Sequence, residues 1–110
     1  MRESDFLRLG DQTLASLNRA LDRVADEHAV DVLYQGGVLT LEIEEPRASK
    51  IVISPQSAVS QIWISAQATS FKLDWNPERG AFVFPPTGEI LAALVGRLIG
   101  EDLGIGPVSL

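Results

Sequence analysis

Cysteine is absent from this 110-residue chain, and histidine occurs once, at His28. Without a thiol the chain forms no disulfide, no zinc–thiolate site and no iron–sulfur cluster of its own, and it has no cysteine nucleophile. The lack of cysteine also fits a reducing compartment.

Basic residues are scarce, because 9 lysines and arginines face 15 aspartates and glutamates, for a net charge of −6. The resulting pI is about 4.6. A surface of this sign repels phosphate backbones, so we expect no nucleic-acid partner. It attracts cations or the basic surface of another protein instead.

Long apolar runs are also missing, since no stretch approaches the ~20 residues that span a bilayer. The first five residues are acidic in balance and lead into an amphipathic segment, which is not typical of a secretory signal. We therefore expect a cytoplasmic protein with no membrane partner. A chain of 110 residues, 45% of them hydrophobic, predicts one globular domain over residues 1–110.

An amphipathic helix is predicted over residues 5–25, with Ser4 as its N-cap. Its apolar positions recur at helical spacing on one arc. They are Phe6, Leu9, Thr13, Leu14, Leu17, Ala20, Leu21 and Val24.

Short strands follow, at 30–35, 38–44, 50–54, 61–65, 71–75 and 81–84. Gly36-Gly37 supplies the positive φ angles of a tight hairpin turn between the first two strands. Pro55 is expected to end the third, because proline cannot donate to a sheet ladder.

The fourth strand places a tryptophan among polar side chains. Ile62 and Ile64 share one face, so Gln61, Trp63 and Ser65 share the other. An exposed aromatic ring on a sheet indicates a binding surface. The alternative is that the Trp63 ring only covers neighbouring side chains. In the fifth strand Phe71, Leu73 and Trp75 are predicted to point inward.

A second helix is predicted after Pro85-Pro86, capped by Thr87 and apolar at Ile90, Leu91, Leu94, Val95, Leu98 and Ile99. Leu103, Ile105 and Val108 of the tail are expected to pack against the helices. The order of one helix, about six strands and one helix predicts an α+β fold. We expect a two-layer α/β sandwich with a mainly antiparallel sheet and both helices on one face.

No catalytic constellation is found. The single histidine lies in a polar connection, and neither a nucleophile elbow nor a phosphate-binding glycine loop occurs. We expect a protein that is not an enzyme. Asp22, Asp26, Glu27, His28 and Asp31 fall within ten residues and offer the oxygen ligands that hard cations prefer. A merely solvated acidic edge is the alternative.

The sequence resembles the frataxin family in the order and spacing of five segments. They are Gly36–Leu41, Lys50–Ile53, Gln56, Gln61–Ser65 and Phe71–Trp75. The N-terminal part is similar to the bacterial CyaY branch of the family. That similarity rests on Ser4, Phe6, Arg8-Leu9, Asp11-Gln12 and Leu21-Asp22.

The resemblance implies an iron–sulfur cluster assembly protein with the α–β sandwich described above. It implies weak, reversible binding of ferrous or ferric iron at surface carboxylates. It also implies docking on the cysteine desulfurase and the scaffold protein as an iron-dependent regulator, and we expect a monomer without metal. An iron carrier or store is the alternative.

By their positions in the family pattern, the residues expected to have these roles form two surfaces. The acidic ridge, as the metal-binding surface, comprises Glu3, Asp5, Asp11, Asp22, Asp26, Glu27, His28 and Asp31. The tryptophan patch, as the partner-binding surface, comprises Gln56, Gln61, Trp63 and Lys72.

The chain also departs from the family. Asn18-Arg19 stands where bacterial relatives carry two glutamates, and Arg23 replaces an acidic residue. Ser54-Pro55 replaces an asparagine and a basic residue before Gln56. We therefore expect weaker or fewer iron sites on the ridge.

Overall fold

The fold is described from a computed structural model that covers all residues from Met1 to Leu110. Two helices flank seven strands along the chain. The bounds are α1 Glu3–Glu27, β1 Val30–Gln35, β2 Val38–Ile43, β3 Ser49–Gln56, β4 Gln61–Ala66, β5 Thr69–Asn76, β6 Ala81–Phe84, β7 Glu89–Ile90 and α2 Leu91–Leu103. A short 3-10 turn, Ser57–Val59, lies between β3 and β4.

The strands form one antiparallel sheet in sequential order, β1 to β7. One face of the sheet packs against the helices and is called the inner face. Along the strands, buried side chains on the inner face alternate with more exposed side chains on the outer face. The predicted α+β sandwich is confirmed, with seven strands in place of about six. The additional strand, β7, has only two residues, too few for a period-two pattern to be visible in the sequence.

The first helix buries the predicted apolar stripe, including Phe6, Leu14 and Leu21. It begins two residues earlier than expected, with Arg2 at the N-cap position and no side-chain capping bond, so Ser4 is not the cap. Acidic residues in the first turn, Glu3 and Asp5, instead stabilise this end through the helix dipole.

Proline does not end the third strand. Pro55 lies within β3 and is opposite Ile62 of β4. The pairing of β3 with β2 stops at Ile53, opposite Leu39. Beyond that point β3 has β4 as its only neighbour, and a free edge tolerates the missing proline donor.

The connection to α2 also differs from the prediction. The Thr87 hydroxyl contacts Glu89 of β7, donating to its Oε1 over 2.7 Å and accepting its backbone N–H over 3.2 Å. The helix starts at Leu91, and its N-cap is Ile90. Thr87 therefore stabilises the turn into β7 and does not cap the helix.

A single cluster of 22 buried apolar residues fills the space between the helices and the sheet. Phe82 joins the layers, with its ring edge-to-face against Phe6 of α1 at 5.8 Å and against Trp75 of β5 at 5.1 Å. Trp75 packs at the margin of this core, partly buried, as the strand pattern predicts. Neither helix is long and apolar enough to cross a membrane.

The C-terminal tail lies across α2. The backbone N–H of Val108 donates to the carbonyl of Gly96 over 3.0 Å, and Arg23 of α1 donates to the carbonyl of Ser109. Leu103 and Val108 pack against the core, as predicted, and Leu110 packs there too. Ile105 is 48% exposed, so its predicted packing is wrong. The chain reverses at Gly104, which has a positive φ, and leaves Ile105 outside.

Replacing Gly96 by alanine is expected to destabilise the domain. A Cβ at this position would overlap the carbonyl oxygen of Val108. Alanine gains about 1 kcal/mol of helix propensity over glycine, but displacing the tail is expected to cost more, with a net loss of about 1–3 kcal/mol. Urea denaturation measures the difference.

The matched control is Gly106→Ala in the tail, where an added Cβ meets no atom within 4 Å. Equal free energies of unfolding for the two variants would contradict the described tail packing.

Candidate functional site

The tryptophan patch lies on three neighbouring strands of the outer face. The sheet register places Gln56 of β3 opposite Gln61 of β4, and Trp63 of β4 opposite Lys72 of β5. These four residues, separated by up to sixteen positions in the chain, thus form one contiguous surface. The structure thus places the four predicted residues side by side, and their role in binding a partner stays a prediction.

Hydrogen bonds hold the Trp63 ring in one orientation. The indole Nε1 donates to Gln61 Oε1 over 2.9 Å, and Gln61 Nε2 donates to Asp74 Oδ1 over 2.9 Å. Because a carboxylate only accepts, Asp74 fixes which end of the Gln61 amide faces the indole. The indole donor is therefore satisfied within the protein.

Lysine covers part of the ring. Lys72 Nζ lies 4.7 Å from the centroid of Trp63, within the range of a cation–π contact. Trp63 is consequently half-buried and less open than the strand pattern alone suggests. Gln56 Nε2 donates to Ser54 Oγ over 3.2 Å, which anchors the far side of the patch.

Sequence reasoning missed Asp74 as part of this surface. Its position two residues after Lys72 on the same strand gives it the same outward orientation. The alternation of inward and outward side chains was visible in the sequence, but the hydrogen bond between Gln61 and Asp74 depends on the register between β4 and β5.

Six of the eight residues of the acidic ridge are spread along the whole length of α1. Glu3, Asp5 and Asp11 lie in the first half of the helix. Asp22, Asp26 and Glu27 lie in its last two turns. Asp22 follows Asp11 by eleven positions, which corresponds to roughly 16 Å of helix, so the two groups do not share a ligand.

Two of the carboxylates are already paired with arginine. Asp5 lies 3.6 Å from Arg8, and Glu27 lies 3.1 Å from Arg23. Both pairs are largely exposed, so each contributes little to stability. Arg23 thus neutralises part of the charge of the ridge near the end of α1.

His28 and Asp31 are the two ridge residues that lie outside α1. His28 is the C-cap of α1, and its backbone N–H donates to the carbonyl of Val24 over 2.9 Å. Asp31 follows the inward-facing Val30 and therefore projects from the outer face of β1, opposite Glu42 of β2. Its side chain is directed away from the layer that contains α1.

Asp22 and Asp26 are an acidic pair near the end of the helix. They are four residues apart, which places side chains on one face about 5–6 Å apart at Cβ. No basic residue occupies the last turn of α1. Mutual repulsion and the negative end of the helix dipole both disfavour two carboxylates here.

No three carboxylate or histidine side chains in the chain come close enough together to hold a metal ion. The donors of the ridge are oxygens of the type that hard cations accept. Their spacing suits a loosely held, hydrated ion shared between neighbouring carboxylates better than a closed coordination shell.

A sequence model of the frataxin-like domain matches residues 1–105. This chain belongs to the frataxin-like family. Within the family it lies in the CyaY branch: it is 34% identical over 104 residues to a protein of Ralstonia nicotianae, covering 93% of this chain and 88% of the relative. It is 33% identical over 105 residues to one of Cupriavidus metallidurans, covering 89% and 87%. Both relatives are named iron–sulfur cluster assembly protein CyaY.

A solved structure supports the frataxin-like fold. The frataxin of Psychromonas ingrahamii superposes with a TM-score of 0.82, over 98% of this chain and 97% of that one, at 22% identity. At this identity the likeness concerns the fold alone.

Removing the charge of Asp26 is expected to stabilise this frataxin-like domain. Asp26→Asn relieves the repulsion with Asp22 and the unfavourable dipole interaction, for a gain of about 0.5 kcal/mol. Urea denaturation at low ionic strength provides the measurement.

The control is Asp11→Asn in the middle of α1, which should change the free energy of unfolding very little. A loss of stability in Asp26→Asn would show that this carboxylate makes a favourable contact that the structure does not contain.

Proposed function

We propose that this frataxin-like chain is an iron–sulfur cluster assembly protein that regulates the cysteine desulfurase and scaffold complex by docking on it. The observation that carries the proposal is the fixed orientation of Trp63 on the outer sheet face. The names of the two relatives support the pathway, and the two surfaces suit docking. We propose a cytoplasmic location, as the composition predicts.

The tryptophan patch suits protein recognition. An aromatic ring that is already held by Gln61 and Lys72 loses little conformational entropy on binding, and such rigid rings are frequent centres of interface energy. Its indole donor is satisfied internally, so contact with an apolar partner surface leaves no donor unpaired. We infer that a partner packs on the ring area that Lys72 leaves free.

The acidic ridge suits attraction over a distance. Glu3, Asp11, Asp22 and Asp26 take part in no ion pair within the chain. Their charge is available to a basic surface of the desulfurase, with salt-sensitive association as the consequence. Weakly bound iron would reduce this charge, which gives a physical route from iron concentration to docking.

An iron carrier or store remains the second candidate, but the ridge favours it less. Storage requires many ions held close together, whereas these carboxylates extend over the whole helix and two are neutralised by arginine. The proposal includes no catalytic step, because neither surface joins a nucleophile to a base.

Docking is tested with the purified desulfurase and scaffold. Trp63→Ala should weaken binding about tenfold or more, as expected for a central aromatic residue worth about 2 kcal/mol. The matched control is Leu33→Ala, which removes another apolar side chain from the outer face, 56% exposed, at the edge strand. Binding by Leu33→Ala should be nearly unchanged.

The contribution of the ridge is measured with the same partners at low and high ionic strength. Asp22→Lys should weaken binding at low ionic strength and have a smaller effect at high ionic strength, because salt screens exposed charges. Undiminished binding by both Trp63→Ala and Asp22→Lys would refute the proposed docking.

Iron binding is tested by anaerobic titration of ferrous iron, followed by NMR. We expect resonances near Asp22 and Asp26 to change first, because this pair gains most from a cation. Asp22→Asn combined with Asp26→Asn should abolish that change, whereas Asp5→Asn, which removes a carboxylate paired with Arg8, should not. Unmoved resonances of Asp22, Asp26, Glu27 and Asp31 at millimolar iron would exclude the ridge as an iron site.

A further inference from the structure

The sheet has one long edge that no other element pairs with, the free side of β1, here the open edge. β1 pairs with β2 on one side and has no strand on the other. It has six residues in continuous register, without the proline, lysine or bulge that commonly protects an edge strand. The opposite edge is short, because β7 has two residues and leads directly into α2. β1 is therefore the edge that can accept another strand.

The turn at Gly36-Gly37 decides which backbone groups of β1 face outward. In a hairpin with a two-residue turn, the residues that flank the turn exchange both of their backbone hydrogen bonds, here Gln35 and Val38. Every second residue before Gln35 therefore also bonds to β2, since hydrogen-bonded pairs alternate along the strands. The N–H and C=O groups that point to the open edge are those of Val30, Val32 and Tyr34.

Two of these three residues have unpaired backbone groups at the open edge. The N–H of Val30 donates to the carbonyl of His28 over 2.8 Å. The outward N–H and C=O groups of Val32 and Tyr34 make no hydrogen bond within the chain. The strand thus holds two donors and two acceptors at fixed positions, with the two residues roughly 7 Å apart.

Leu33 adds an apolar side chain at the centre of the open edge. It is 56% exposed, and no other large apolar side chain of the sheet is exposed. It lies on the outer face with Asp31 and Gln35, whereas Val32 and Tyr34 lie on the inner face and pack partly against the core. Unpaired backbone groups and an exposed leucine on the same strand are the features of an edge that adds a further strand.

We propose that the open edge pairs with the open edge of a second copy of the chain, antiparallel about a two-fold axis that passes through Leu33. The axis places Leu33 opposite its counterpart in a non-hydrogen-bonded pair, the type in which side chains lie closest. Val32 then faces Tyr34 of the second copy in a hydrogen-bonded pair, and Tyr34 faces Val32. All outward donors and acceptors of these two residues are satisfied, and the two sheets become continuous.

The chemistry of β1 selects this register over its neighbours. An axis one residue earlier needs the N–H of Val30, which already donates to His28. It also places the carboxylate of Asp31 opposite Leu33, whereas the proposed axis places that carboxylate opposite an amide, Gln35. An axis one residue later shortens the overlap, because each strand ends at its turn. In the proposed register no two carboxylates of β1 face each other.

The net charge of −6 on each copy opposes the pairing. The acidic ridge flanks the open edge, with Asp31 in β1 itself and Asp26 at the end of α1 that leads into β1. Salt screens this repulsion, so the pairing strengthens as the ionic strength rises. Docking through the acidic ridge weakens under the same change, which separates the two interactions. The pairing goes beyond the proposed function and does not depend on it.

Self-association of the unmodified chain is measured by analytical ultracentrifugation with a metal chelator present, which excludes bridging by metal ions. A single pair of strands is a small interface, so we expect mainly monomer at about 20 µM and an appreciable fraction of dimer at about 1 mM. Added salt should increase that fraction. The expected metal-free monomer is then the state of the dilute protein.

Amide hydrogen exchange locates the interface in the same unmodified protein. The amides of Val32 and Tyr34 should exchange several-fold more slowly at the higher protein concentration, because the second copy covers them. The amides of Leu33 and Gln35 bond to β2 and should exchange at a rate that does not depend on concentration.

Charged residues at the position of the axis test the register. Leu33→Lys and Leu33→Glu should each abolish the dimer, because like charges then lie opposite each other. An equimolar mixture of the two variants should restore association, because the mixed pair brings opposite charges together. The matched control is Ser65→Lys, which adds the same charge to an exposed position of the outer face on β4 and should keep the dimer. Thermal melting verifies that each variant is folded.

Four results would overturn the proposal. They are a chain that stays monomeric at the higher concentration in high salt, a dimer with unprotected amides at Val32 and Tyr34, a dimer that tolerates Leu33→Lys, and a mixture of the two charged variants that stays monomeric. The second and third would place the second copy on another surface. None of them bears on docking through Trp63, which is measured with the desulfurase and the scaffold.

Discussion

Burial of every second side chain of the sheet beneath α1 and α2 is the constraint on which the rest of the structure depends. Because the side-chain period of a strand is two, the apolar residues that enter the core fix the direction of all the others. Ile62 and Ile64 are fully buried, and Trp63 between them must face outward. A shift of one residue in β4 would exchange its core-facing side chains with those of the tryptophan patch.

The outer face is free of that packing requirement and carries the specialised contacts instead. The series of bonds from Trp63 through Gln61 to Asp74 spans two strands and orders a large side chain outside the core. Lys72 adds a charge next to the ring. The antiparallel register positions these side chains, so the sheet itself presents them and no dedicated loop is needed.

The end of α1 carries an unfavourable arrangement of charges. Asp22 and Asp26 repel one another at the negative end of a helix dipole, and no basic residue in the last turn compensates. A basic partner or a cation relieves the same repulsion on binding. The chain moderates this conflict through Arg23, which pairs with Glu27 and also reaches the tail at Ser109.

Local patterns in the sequence determined the helices, most strands, the inward and outward sides of β4 and the placement of the ridge on α1. These features depend on the periodic spacing of apolar residues and on residues that favour turns. Gly36-Gly37 is an example, because both φ angles there are positive. Tertiary structure decided the rest. Pro55 stays in β3 because its neighbour strand has ended, and Asp74 joins the tryptophan patch only through the register of β5. The hydrogen bond from Gln67 Nε2 in the β4–β5 turn to Asp102 Oδ1 of α2 joins residues 35 positions apart in the chain, and such proximity depends on folding, which no local pattern encodes.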